Sequence, residues 1–167
     1  MKKEELEFIL QSGEGLKIEF KESLKNIDKE IVAFANSQGG RIFVGITDKK
    51  EIKGITITNS LKSQIIDLAR NCDSAINITL QNYDGLLIIN IEEGINKPYS
   101  CSAGFYLRIG ANSQKLSRDE IFEFALSEGR IKFDEQINNE FLYPNDFDDE
   151  KLEEYLLEAK LSRNTDT

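Results

Sequence analysis

An α+β domain, built as a mixed, mostly antiparallel sheet with helices packed on it, is the fold class predicted for residues 13–130. Three observations predict it. Apolar residues alternate with period two in Leu16, Ile18 and Phe20 and again in Ile76, Ile78 and Leu80. Stretches with helical spacing lie between them, as in Ile31, Phe34 and Ala35. Asp84-Gly85 separates two strand-like runs and is a hairpin turn signal.

In chain order, Leu6, Ile9 and Leu10 define an N-terminal helix within residues 1–12, stopped by Gly13. A strand follows at 16–21. Asp28 can cap a helix beginning KEIVAFANS, which Gly39-Gly40 ends before the strand Arg41–Thr47. Asp48-Lys-Lys-Glu is read as a turn into a short strand at Ile52–Ile57. Asn59 or Ser60 opens a helix with Leu61, Ile65, Ile66, Leu68 and Ala69 inward. The strand at Ile76–Leu80, the Asp84-Gly85 turn and the apolar strand Leu86–Ile91 come next. Pro98 opens a loop, Phe105–Gly110 is a short strand, and 110–115 is a polar loop. Ser-Arg-Asp-Glu from Ser117 is a capping box for a helix with Ile121, Phe122 and Leu126 behind it. Residues 131–167 read as an acidic arm: irregular from Asp134 to Asp149, then helical over Glu150–Leu161. The polar SRNTDT straight after that helix implies a piece of a longer protein.

The chain has 167 residues, 40% of them hydrophobic, enough for one core. No run is long and apolar enough to span a membrane, and MKKEELEFIL is too acidic for a signal peptide. With no histidine and only Cys72 and Cys101, histidine-based zinc sites, Ser-His-Asp triads and Cys-His nucleophiles are excluded. The pattern fits a reduced, cytoplasmic protein. There is no GxxxxGK[ST] or GxGxxG, so a nucleotide site is not supported. The net charge is −9, but it is unevenly spread. Gly13–Arg118 holds 14 bases and 12 acids, whereas Asp119–Thr167 holds 5 bases and 15 acids. The central part is mildly basic, so the bulk charge does not describe what it binds.

Two stretches carry chemistry. EGLKIEFKES places Lys17, Glu19 and Lys21 on one face of a strand whose other face is Leu16, Ile18 and Phe20. That face is either a solvated surface or a site. AFANSQGG ends a helix where Asn36 can bond free carbonyls, and the next strand delivers Asp48 to its end. A plain C-cap and turn aspartate would explain these equally well. FYLRIGANSQKLS adds Arg108, Asn112 and Lys115 beside small polar residues, the equipment that holds phosphodiester backbones, or simply a solvated loop.

In this order and spacing the stretches resemble the Schlafen-type AlbA-like domain, catalogued as a DNA-binding domain of bacterial and archaeal regulators. The likeness covers about Glu14 to Leu126. It rests on EGLKIEFKES, IxAFANxxGG, a GxxD strand end followed by IxGI, and YxRxGxxxxxxS before a capped helix. Gly15 stands where serine is common. The resemblance implies a nucleic-acid-binding unit of a transcriptional regulator, contacting DNA or RNA through Lys17, Lys21, Arg41, Arg108, Asn112 and Lys115. Eukaryotic Schlafens include a nuclease with three catalytic acids, and these fall on Glu14, Glu19 and Asp48. Three carboxylates converging from neighbouring strands can hold Mg²⁺ or Mn²⁺ and activate water, with Lys21 beside the scissile phosphate. Without a cation they repel one another unless Lys21 or Arg41 neutralises them. A metal-dependent endoribonuclease is therefore the second reading, and an assembly module with an acidic arm is the third. Schlafens carry two such lobes in one chain, which implies a homodimer here.

Overall fold

The computed structural model describes residues 1–130, 140–142 and 144–159. Met1–Ile131 forms one compact unit and Lys132–Thr167 a second. In the first unit the elements run α1 (Lys3–Ser12), β1 (Ile18–Lys21), α2 (Ile27–Asn36), β2 (Gly40–Val44), α3 (Asn59–Arg70), β3 (Ile78–Tyr83) and β4 (Leu86–Ile91). They continue with β5 (Ser100–Cys101), β6 (Gly104–Ile109), β7 (Asn112–Lys115) and α4 (Arg118–Ser127). A four-stranded sheet has the order β1-β2-β4-β3, and a three-stranded sheet the order β5-β6-β7. Only β1–β2 is parallel; the other pairs are antiparallel, so the α+β expectation holds.

Alternating residues of the larger sheet feed two cores. Ile42, Val44, Leu87, Ile89 and Ile91 pack with Ile27, Ile31 and Phe34 of α2 and with Ile65 and Ala69 of α3. Phe20, Phe43, Ile46, Leu86 and Ile88 pack on the opposite side with Leu6 and Ile9 of α1. Both faces of the sheet are therefore covered, which is why β4 reads as an unbroken apolar run rather than an alternation.

The turns follow their chemistry. Asp84 and Gly85 both take positive φ (47° and 75°), as a two-residue hairpin of the right-handed twist requires. Gly39, at φ 67°, ends α2 by donating its N–H to the Phe34 carbonyl at 2.9 Å. Gly40 is required for space: a Cβ there would lie 2.5 Å from the Phe34 ring and 2.8 Å from the Lys17 carbonyl oxygen. The Ser117 capping box is present in full.

Several expectations are corrected. Helix α2 begins at Ile27, with Asn26 at its N-cap in a left-handed conformation, so Asp28 lies inside the first turn instead of capping it. Residues 52–57 form no strand; Lys53 and Gly54 both donate to the Gly45 carbonyl, which curls the segment around that glycine. Residues 112–115 are a strand, not a loop. Ile109 pairs with Asn112 across Gly110-Ala111, and Gly110 at φ 61° supplies the turn. On α4, Phe122 and Leu126 are exposed rather than packed.

In the second unit, α5 (Asp149–Glu158) is capped by the Asp148 carboxylate, which accepts from the Lys151 N–H. Leu152 and Leu156 are half-buried and Tyr155 is exposed. Residues 134–139 and 143 of the irregular stretch expected from Asp134 to Asp149, the end of the helix at Leu161 and the SRNTDT tail lie outside the described residues.

Candidate functional site

The face of β1 carrying Glu19 is covered, not solvated. Glu19 is 6% exposed and its neighbour Phe20 is also 6% exposed, so β1 is buried on both sides while Leu16 is left out at 50%. Glu19 and Lys21 share the side facing α2 and β6. There Lys21 Nζ lies 2.7 Å from Glu19 Oε1 and 2.8 Å from Glu30 Oε1 of α2. Arg108 reaches in from β6, its side chain fully buried, with Nη2 2.6 Å from Glu19 Oε2 and Nη1 3.5 Å from Glu30 Oε2. Ser113 of β7 donates its hydroxyl to Glu30 and accepts from Arg108 Nη1.

Arg108 binds this region by its donors as well as its charge. Nε donates to the Gly15 carbonyl, and Nη2 donates to the Gly15 and Ile18 carbonyls at 2.9 and 3.0 Å. Both Nη2 hydrogens are thereby directed to backbone, so the short approach to Glu19 Oε2 is an ion contact without a hydrogen bond. That oxygen is buried and lacks a hydrogen-bond partner. The guanidinium also lies 4.8 Å from the Phe34 ring centroid. Burial pushes the Glu19 carboxyl above the usual carboxylate range, opposed by the Lys21 hydrogen bond and reinforced by the Glu30 charge. Burial works against the Lys21 charge, but its hydrogen bonds to the two glutamates prevail and hold its pKa above the ordinary lysine value.

Glu14 and Asp48 lie elsewhere. They line a pocket of about 180 Å³ with Phe20, Thr47 and Lys50, on the Phe20 face of β1. Glu14 Oε1 accepts from the Phe20 N–H at 3.0 Å. Adjacent strand residues point to opposite faces, so Glu19 cannot join them. The expected convergence of Glu14, Glu19 and Asp48 is thus corrected to a pair plus a separately buried acid. Among the described residues no group of three acids or cysteines is placed to hold a metal ion. The residues present do not fit a three-carboxylate Mg²⁺ or Mn²⁺ site, because Glu19 is committed to Lys21 and Arg108.

The six expected cationic and polar contacts divide similarly. Arg108 is inaccessible and Lys21 is neutralised. Arg41 pairs with Glu5 at 2.7 Å and stacks near Phe43. Lys17, Asn112 and Lys115 are exposed. Lys115 stands opposite Tyr106 on the paired strand, and Lys29 of α2 lies 5.9 Å from the Tyr106 ring centroid. Glu30, Lys29 and Ser113 were not expected from sequence. Glu30 did have a signal: it falls at the i+3 position of the stripe Ile27, Ile31 and Phe34, where an acid is out of place on a buried face. Asn36, expected to bond free carbonyls at the helix end, bonds instead to segments distant in sequence. It is 2% exposed, donates to the Tyr99 and Tyr106 carbonyls at 2.9 Å each, and accepts from the Tyr99 N–H.

A family model described as Schlafen, AlbA_2 matches residues 14–117. Among solved structures, the chain is similar to the DIP2311 protein from Corynebacterium diphtheriae. That likeness has 20% identity and a TM-score of 0.52, covering 75% of this chain and 32% of that one. The chain thus spans about a third of that protein's length. It is also similar to the N-terminal domain of a protein described as ATP-dependent DNA helicase RecG-related, from Nitrosomonas europaea. Here the identity is 22% and the TM-score 0.44, with 68% of this chain and 90% of that one covered. The described helices include none long and apolar enough to cross a membrane.

Proposed function

This chain belongs to the Schlafen AlbA_2 family, and on that premise we propose that it is the nucleic-acid-binding domain of a transcriptional regulator. One observation carries the reading onto particular residues. Lys29 and Lys115 flank Tyr106, and neither is ion-paired with an acid among the described residues, whereas Lys21, Arg41 and Arg108 are. Cations with no acid to hold them are free to replace counterions on a phosphate backbone. Asn112, exposed on the same hairpin, adds a neutral donor for phosphate or sugar oxygens. Lys17, at the entry to β1, is a further exposed cation of the same domain.

Fluorescence anisotropy with a labelled RNA hairpin and a duplex DNA, in EDTA, tests this reading. Binding is expected without metal and should weaken steeply as salt rises. The double variant Lys29→Gln/Lys115→Gln is expected to bind at least about tenfold more weakly at low salt. Its log-affinity against log-salt slope should be shallower by about two, one counterion for each lost phosphate contact. An unchanged affinity and slope would remove these lysines from the interface. Failure of the unmodified chain to retain either nucleic acid at low salt would favour the assembly reading instead.

The dimer belongs to the same proposal: two copies would supply the two lobes that make a groove. Sedimentation at high protein concentration is expected to show a dimer, and a monomer there would count against it.

A further inference from the structure

We infer that Cys72 and Cys101 form a reversible thiol–disulfide pair that reacts with low-molecular-weight disulfides and staples the end of α3 to β5. The backbone brings them together. Asp73 and Ser100 make an isolated antiparallel bridge, with the Asp73 N–H donating to the Ser100 carbonyl at 2.8 Å. Antiparallel register advances one strand as the other retreats, so the next pair is Cys72 opposite Cys101. The bridge is isolated, with Cys72 in the bend after α3 and Cys101 in β5, so the cysteines adjoin it on facing segments; next to a hydrogen-bonded pair, regular antiparallel geometry brings Cα atoms to about 4.5 Å. That separation lies inside the roughly 4.4–6.8 Å that a disulfide spans.

The surroundings agree with this placement. Cys72 belongs to the α2–α3 core cluster, and Cys101 packs against the same cluster. The Cys101 charge acts on Cys72, and the Asp28 charge acts on both. Cys72 Sγ contacts the Leu68 carbonyl at 3.3 Å, and Cys101 Sγ contacts the Gly104 carbonyl at 3.6 Å, with the Ala103 backbone and the Asp28 carboxylate also beside it. The pair with Asp28 makes no metal site among the described residues.

The exchange starts at Cys101, the more exposed of the two. Its thiolate attacks one sulfur of the small disulfide, forming a mixed disulfide and expelling one thiolate, which takes up the Cys101 proton. Cys72 then loses its proton and attacks the Cys101 sulfur. The protein disulfide forms and a second small thiol leaves with that proton. Two cysteines are oxidised and one small disulfide is reduced to two thiols. Burial pushes both thiols up, Cys72 to about 12, so closure should be slow at neutral pH and accelerate in alkali as thiolate accumulates.

The test incubates the full chain with oxidised glutathione over a pH series and follows intact mass, free thiols and melting temperature. Both thiols are expected to disappear together, with the loss of two hydrogens and no glutathione retained. The chain should remain monomer-sized on a non-reducing gel and melt higher than the reduced form, because the cross-link limits the unfolded state. Dithiothreitol should reverse every change. Cys72→Ser should stop at a stable glutathione adduct on Cys101. A lasting adduct on the unmodified chain with Cys72 free, disulfides only between chains, or two unreacted thiols in alkali would each overturn the inference.

Discussion

Replacing Arg108 with methionine is expected to cost about 3–5 kcal/mol of folding stability, the usual result of removing one partner from a buried charge pair. The side chain is fully buried, contacts two glutamates and donates to three backbone and side-chain oxygens, those of Gly15, Ile18 and Ser113. Methionine would fill much of the volume but leave Glu19 with Lys21 as its one remaining cation in the cluster, remove the guanidinium donors from the Gly15 carbonyl, and leave the Ile18 carbonyl with the Gly15 N–H alone. Because a domain of this size has only about 5–15 kcal/mol in total, much of the population should unfold under mild urea. Urea titration with circular dichroism reads the loss. Arg108→Lys should recover little, since one ammonium cannot donate in the directions that the planar guanidinium serves at once. Adding Glu19→Gln to Arg108→Met should restore part of the stability, because a neutral amide is cheaper to bury than an unpaired carboxylate. Strictly additive losses in that double variant would show that the two side chains are not coupled. Any loss of nucleic-acid binding in Arg108→Met should then track the unfolded fraction rather than a missing phosphate contact.

Asn36→Ala should be the second largest effect, at about 2–4 kcal/mol. One carboxamide joins the end of α2 to two segments more than sixty residues away, through three hydrogen bonds between buried groups. Alanine would strand the Tyr99 N–H and carbonyl and deprive the Tyr106 carbonyl of a donor, each costing roughly 1–3 kcal/mol if water cannot enter. Asn36→Asp should fare no better at neutral pH, since an anion would face two carbonyl oxygens. The same urea titration decides it: a loss under about 1 kcal/mol for Asn36→Ala would mean that solvent replaces the amide and that the second sheet is held without it.

Both residues were visible in the sequence, but with different jobs. Arg108 alternates with Tyr106, and an arginine on a short strand beside a polar loop looks like a phosphate contact. Nothing local says that α2 and β7 will close over it. Asn36 at a helix end looks like a cap, because the strand edges it serves are distant in sequence. Glu30 is the instructive contrast. An acid in phase with Ile27, Ile31 and Phe34 announces a buried charge from spacing alone, although its partners Lys21, Arg108 and Ser113 come from three other elements.

Periodicity and turn chemistry determined the helices, most strands, the Asp84-Gly85 hairpin, the Ser117 cap and the α+β class, since those are set by contacts within a few residues. The motif order determined the family. What only the tertiary structure decided is which face of β1 each acid occupies and which cations remain free of acids. A strand's alternation separates Glu19 from Phe20 whatever the motif, but whether the Glu19 side meets water or α2 depends on packing between segments far apart in the chain. That long-range choice turned an expected surface trio into a buried charge cluster on one side and a Glu14–Asp48 pocket on the other.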